Sequence, residues 1–278
     1  MTGNKKLSDA ILGLAIGDAL GVPYEFYMRG AFKCWDMVGF GTHHQQLGTW
    51  SDDTSMTIAT AKSIKGHNGT IDVDDMRQNF MEWFTEGKFT PGGRVFDIGC
   101  TTMNALASGE PGVDVRDNGN GSLMRILPLA FTDCSDDEIR AVSAITHGHF
   151  FSTEACVIYV HIARKLLEGE DIDAIIPTLV YEYPFNRLSM INTLSEDVIS
   201  SSGYVVSTLE AALWAIVHRD KDERSFKQTV LDAVNLGYDT DTVAAVTGGL
   251  AGIIYGLDGE DDWLSKLKGK DIIMDCLW

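Results

Sequence analysis

The sequence is short of positive charge. Against 22 Lys and Arg stand 40 Asp and Glu, a formal net charge of −18. That balance excludes a general nucleic-acid binder and a binder of anionic membranes, because those surfaces attract cations. An anionic ligand would need a metal or a helix N-terminus to hold it. Cysteine is sparse and unpatterned: Cys34, Cys100, Cys134, Cys156 and Cys276 are odd in number and form no CxxC pair. They read as buried thiols of a reducing compartment, which points to the cytoplasm. No stretch reaches the roughly 20 consecutive apolar residues that a membrane span requires. Lys5 and Lys6 precede an apolar run in the manner of a signal peptide, but Asp9 and Asp18 interrupt it. Linker-like segments are missing too, so the 278 residues are read as a single domain, 1–278, with a substantial core. Val and Ile runs of strand length are few and no internal repeat stands out. An all-α fold, a compact orthogonal helical bundle, is the expectation.

What is present is organised around LGYDTDTVAAVTGGLAGIIYG. From Val243 to Ile254 there is no charge, so the run reads as a helix buried on all sides, its Gly and Ala residues letting neighbouring backbones approach closely. Asp239, Asp241 and Thr242 stand directly before it. A second acidic cluster, Ser51, Asp52 and Asp53, opens another helix-like run in GTWSDDTSMTIATAKSIK, with Met56, Ile58, Ala59 and Ile64 as its apolar stripe. Each cluster alone is explained by capping, a carboxylate accepting backbone N–H bonds and offsetting the macrodipole. One Asp suffices for that at each end. The surplus has a use if the clusters meet: carboxylate and hydroxyl oxygens, without Cys or His at ligand spacing, are what a hard cation such as Mg²⁺ or Mn²⁺ prefers, and two clusters suit a pair of ions.

Other residues carry two readings each. Leu7 to Leu20 has helical spacing and stops at Gly21 and Pro23; Glu25 follows between Tyr24 and Phe26. It is either an ordinary loop glutamate or a partly desolvated acid with a raised pKa, suited to proton transfer. His43 and His44 are read as surface residues of a glycine-rich loop. Helices are expected at Asp52 to Ile64, Val73 to Thr85 and Asp97 to Ala107, with Asp97 as a cap or, less favoured, pointing into a cleft. RDNGNGSLMRILPLAF lacks flanking strands, so its Asn-Gly turns read as a loop whose N–H groups, with a helix N-terminus and Ser122, face an anion. His147 and His149 lack further zinc ligands at familiar spacing; a ligand-orienting His at the start of a helix from about Ser152 is the better reading. After a mixed stretch up to Ser202, Tyr204 to Arg219 and Ser225 to Val234 read as helices.

Taken together, GDALGVPYEF, WSDDTSMTIA, VFDIGCTT, NGNGSLMRILPLAF, ITHGH and GYDTDTVAAVTGGLAGIIYG resemble the ADP-ribosylglycohydrolase family from about Leu7 to about Leu267. The resemblance implies a compact all-α fold with two Mg²⁺ or Mn²⁺ ions in a central cleft, and removal of ADP-ribose from an ADP-ribosylated protein, most often at arginine, by a monomer that releases ADP-ribose as product. By resemblance the metal ligands fall on Ser51, Asp52, Asp53, Asp239, Asp241 and Thr242. Glu25 matches the acid near the metals and Asp97 an active-site acid of arginine-type members. Asn120, Gly121 and Ser122 match the diphosphate loop, and His147 and Tyr204 match ligand-contacting positions. Two positions depart from the pattern: Ser51 replaces the commoner Thr, and Tyr238 the second Gly of GGDxDT. The first keeps an oxygen ligand; the second alters the pocket beside the metals. A phosphohydrolase acting on a nucleotide and a non-catalytic ADP-ribose binder are the two alternatives from other classes.

Overall fold

The computed structural model describes residues 2–278. Its α-helices are α1 (Thr2–Gly21), α2 (Asp52–Gly66), α3 (Val73–Glu86), α4 (Cys100–Ser108), α5 (Asp136–Ser143), α6 (Phe150–Leu167), α7 (Ile172–Ile175), α8 (Val205–Val217), α9 (Phe226–Asn235), α10 (Thr240–Tyr255), α11 (Asp261–Lys266) and α12 (Lys270–Cys276). Short 3₁₀ turns join them. Among the described residues there is no β-strand, only three isolated bridges, two of which tie the loop around Asn120 to its surroundings: Gly112 with His147 and Gly119 with Tyr204.

The centre of the molecule is the pair α1 and α10. Both lack large residues where they meet, and the reason is distance. A Cβ added at Gly17 would lie 2.0 Å from the Ala244 carbonyl oxygen, and one at Gly21 would lie 2.3 Å from Asp241 Cα. The two backbones therefore touch, and the last turn of α1 is pressed against the first turn of α10. Asp18, one turn before Gly21, is carried into the acidic centre by the same contact. By length and composition the stretch Asn4–Tyr24 is apolar enough to cross a membrane, which corrects the expectation that no stretch is; most of it is buried inside the protein as this core helix.

The remaining differences from the expected elements have local causes. Helix α2 is not amphipathic: from Asp52 to Ala61 every residue is buried. Most of its hydroxyls are satisfied within the core, Ser55 Oγ donating to the Ser51 carbonyl at 2.7 Å, Thr60 Oγ1 to Met56 at 2.9 Å and Thr57 Oγ1 to Met124 at 3.0 Å, while Ser63 Oγ has no partner. Helix α4 begins at Cys100, with Gly99 rather than Asp97 at its N-cap. The stretch after Ser122 forms 3₁₀ turns, Leu123–Arg125 and Leu127–Phe131, instead of an α-helix. Pro128 has no N–H to give to an α-helical ladder there.

Candidate active site

The two acidic helix starts converge, and capping does not use them up. At α2 the N-cap is Ser51, whose hydroxyl accepts the Asp53 N–H at 3.3 Å. A second cap comes from Asp18 on α1. Its carboxylate accepts the Ser51 N–H at 2.9 and 3.0 Å, the Thr54 N–H at 3.0 Å and the Thr54 hydroxyl at 2.6 Å. At α10, Asp239 occupies the N-cap position but accepts no N–H of the helix; its Oδ2 accepts from Asn120 Nδ2 at 2.7 Å. Asp52, Asp53 and Asp239 are thus surplus to the helix ends, and so is one oxygen of Asp241, whose Oδ1 accepts the Thr242 N–H at 3.0 Å.

Two atoms of that surplus have no partner. Asp53 Oδ1 and Asp241 Oδ2 are buried without a hydrogen bond, while the other Asp53 oxygen accepts from Ser51 Oγ at 3.0 Å and Thr242 Oγ1 at 3.3 Å. Carboxylate oxygens of Asp18, Asp53 and Asp241 lie within 4.8 Å of one another, as do ligand atoms of Glu25, His43, Asp97 and Asp241. Burial comes first and mutual repulsion second in holding the Asp52, Asp53 and Asp241 carboxyls well above the usual range. Burial likewise holds Asp18 up at about 6. A buried group of acidic oxygens with orphaned acceptors could hold a metal ion, and oxygen donors are those that hard cations prefer.

Above this floor opens a cleft of about 640 Å³, lined by Glu25, Asp52, Asp97, Asn120, Gly121, His147, Asp239 and Thr242 among others. Glu25 is buried, and its Oε2 is hydrogen-bonded to Nε2 of His43. Burial raises its pKa to about 7, the His43 contact lowering and the nearby Asp97 and Asp239 raising it. The desolvation foreseen from its aromatic neighbours has another source, since Tyr24 turns away to stack on Phe32 at 4.5 Å and Phe26 is exposed. His43 corrects its reading as a surface residue: its side chain is 15% exposed and also stands 3.9 Å from Asp97 Oδ2. It gets there because Gly41 lies flat on the turn after α1, where a Cβ would be 2.0 Å from the Pro23 carbonyl oxygen, and because Thr42 Oγ1 donates to the Glu25 carbonyl at 2.6 Å. Asp97, expected first as a cap, lines the cleft instead.

The glycine loop is pinned on both sides. The Asn120 N–H donates to the Gly203 carbonyl and the Val205 N–H to that of Asn118, both at 3.0 Å. Among the described residues the Gly121 N–H finds no acceptor in the protein and stands on the cleft wall, open to an anion; Ser122, expected beside it, is fully buried and is not part of the lining. Its hydroxyl is used inside the protein, accepting from Ser143 at 2.9 Å and from the Cys156 thiol at 3.5 Å. His147 is buried and burial depresses its pKa to about 3. Thr146 Oγ1 accepts from Arg125 at 2.8 Å and lies 2.7 Å from His147 Nδ1. Nδ1 is the acceptor within reach of that buried hydroxyl's proton, and donation to it would put the neutral ring's hydrogen on Nε2, beside Gly121. His149 is committed elsewhere, capping α6 by accepting the Phe151 N–H. Tyr204 stands at the N-cap of α8, and the cleft wall next to it is made by Ser202 and Gly203.

Residues 3–277 match the family model described as ADP-ribosylglycohydrolase. The chain belongs to the ADP-ribosylglycohydrolase family. Over 96% of its length it is 36% identical to the ADP-ribosylarginine hydrolase Tri1 of Serratia proteamaculans, of which it covers 76%. It is 30% identical to the ADP-ribosyl-[dinitrogen reductase] glycohydrolase of Rhodospirillum rubrum over 94% of this chain and 90% of that one. A solved structure described as an ADP-ribosylglycohydrolase-related protein complex superposes with a TM-score of 0.82 at 30% identity, covering 99% of this chain and 96% of that one. The structural match over nearly the whole chain agrees with the expected all-α architecture.

Proposed function

We propose that the protein hydrolyses the glycosidic bond between ADP-ribose and a protein side chain, arginine being the acceptor, with two Mg²⁺ or Mn²⁺ ions in the acidic floor. The observation that carries this reading is the meeting in one cleft of surplus buried carboxylates, two of their oxygens unpartnered, with a separate acid, Glu25, held on a histidine. Arginine as acceptor is supported by the names of the Serratia relative and of a second Tri1 from Pseudomonas putida, 36% identical over 93% of this chain. Ser51, Asp52, Asp53, Asp239, Asp241 and Thr242 would hold the ions, and Asp18 lies close enough to Asp53 and Asp241 to share in the site. Bound there, divalent cations would relieve the repulsion among the carboxylates and supply Lewis-acid polarisation of oxygen ligands.

The remaining work falls to the chain's own groups. The Gly121 N–H and the His147 ring, both on the cleft wall, offer hydrogen bonds to the diphosphate, so an anion is held without lysine or arginine. Glu25 keeps Oε2 on His43 and leaves Oε1 to take the proton of the water that attacks the anomeric carbon, as positive charge develops on the ribose. Its pKa near 7 suits a base working at neutral pH. Asp97 holds the departing guanidinium by charge-assisted hydrogen bonds.

The test offers ADP-ribosyl-arginine, ADP-ribosyl-serine and ADP-ribosylated nucleic acid side by side with Mg²⁺ and measures free ADP-ribose. Fastest release from the arginine substrate is expected. Preference for either other substrate would overturn the arginine assignment, and AMP or inorganic phosphate as product would replace the glycosidase with a phosphohydrolase. Tight ADP-ribose binding with no turnover on any acceptor would make the protein a binder.

A further inference from the structure

Three residues of the cleft other than glycine have a left-handed backbone: Phe26 (φ 67°), Asp97 (φ 52°) and Tyr238 (φ 61°). L residues adopt that region against steric resistance, and such strain persists where surroundings impose it, most often at functional sites. At Phe26 and Tyr238 the surroundings are a backbone clasp. The Tyr238 N–H donates to the Tyr27 carbonyl at 2.7 Å, and the Phe26 N–H donates to the Tyr238 carbonyl at 2.6 Å. The clasp needs only main-chain atoms, and glycine would satisfy it at both positions without strain.

Both positions nevertheless carry large rings, and the rings are not used as core. Phe26 is 66% and Tyr238 47% exposed, and both line the cleft beside Glu25 and Asp97. The same lining includes Asp52 and Asp239 but no lysine or arginine. Aromatic faces above an acidic cleft select a particular guest. A planar cation is drawn to the ring faces and to the carboxylates together, whereas a neutral hydroxyl gains from neither. We propose that Phe26 and Tyr238 are the specificity-determining residues of this site, receiving the guanidinium of the modified arginine against their rings and so favouring a cationic acceptor over a neutral one. The inference takes its setting from the hydrolase reading, but it concerns side-chain recognition and stands or falls on a separate measurement.

The experiment titrates Nα-acetyl-arginine methylamide, and its neutral citrulline counterpart, into protein saturated with ADP-ribose and Mg²⁺, by calorimetry. The wild type binds the arginine compound more tightly. Phe26→Leu and Tyr238→Leu each weaken arginine binding about 3- to 10-fold, leave citrulline and ADP-ribose affinities unchanged, and Tyr238→Phe behaves as wild type. Tyr238→Gly guards against misfolding: it relaxes the φ 61° backbone, so its melting temperature holds or rises while arginine binding still falls. A wild type without preference for arginine, Leu variants that keep it, or a fall in ADP-ribose affinity, which would place the rings on the nucleotide, overturns the proposal. The expected binding pattern in a protein that releases no ADP-ribose from any acceptor would uphold the guanidinium site and overturn the hydrolase reading. Arginine turnover with an unchanged preference in the Leu variants would do the reverse.

Discussion

The floor and the rim of the cleft are under stress of different kinds. The floor, Asp18, Ser51, Asp53, Asp241 and Thr242, is built on regular helix ends, fully buried, and its stress is electrostatic: carboxyls held far from water and close to one another. At the rim, Glu25, Phe26, His43, Asp97 and Tyr238 sit on turns, all but Glu25 at least partly exposed, and three of the five have positive φ. There the charges are matched, Glu25 with His43, and the stress is in the backbone. The contrast indicates what each region awaits. Charge stress of the first kind is what a bound cation would relieve, and backbone stress of the second kind is found most often at functional sites.

Changes in the floor should have the largest effect on rate. Asp241→Asn removes a ligand whose Oδ2 has no protein partner, and loss of several kcal/mol of charge stabilisation predicts a fall in kcat of about 10³-fold or more. Steady-state release of ADP-ribose measures it, and near-normal turnover would separate the floor from catalysis. Glu25→Gln comes next: it keeps shape but cannot take a proton, so kcat falls roughly 10²-fold while ADP-ribose affinity holds. In the wild type the rate is lost as pH drops below the Glu25 pKa near 7, because the base is then protonated; that acidic limb disappears in the Gln variant. The smallest effect sharpens the rim. His43 lowers the Glu25 pKa through its hydrogen bond, so His43→Gln should cost only about 10-fold in kcat and move the acidic limb to higher pH. An unmoved limb would show that His43 does not govern Glu25.

The floor was legible in the sequence because its chemistry is written in residue types: two Asp-rich helix starts and an uncharged helix between neighbours of small residues. Asp18 belonged to the same signal, as the sole charge between Asp9 and Glu25. As an interruption of an apolar run it says little by itself, although a lone carboxylate on a core helix must find partners. The rim was less legible. Whether His43 faces solvent or Glu25 depends on Gly41 packing on Pro23, a contact between segments that no local pattern announces. Asp97 was weighed as a cap because Asp before a helix commonly is one; its left-handed φ places it in the cleft, and the helix starts three residues later. The stretch around Asn120 and Gly121 is a loop, as its Asn-Gly turns indicate, but the α-helix expected to follow it is replaced by 3₁₀ turns at Pro128, so no α-helix N-terminus faces the cleft there.

The central claim is that the acidic floor is incomplete without cations, and the melting temperature of chelator-treated protein tests it most directly. Carboxyls such as Asp18, held up at about 6 from 3.8, bind protons more tightly in the folded chain than in the unfolded one. The metal-free protein should therefore be more stable near pH 5 than near pH 7.5, losing stability as pH rises through that window. At pH 7.5, Mn²⁺ should raise the melting temperature by roughly 5 °C or more, and Asp241→Asn should melt above the wild type without metal yet respond little to Mn²⁺. A melting temperature indifferent to chelator, to Mn²⁺ and to the Asp241 charge would contradict the account.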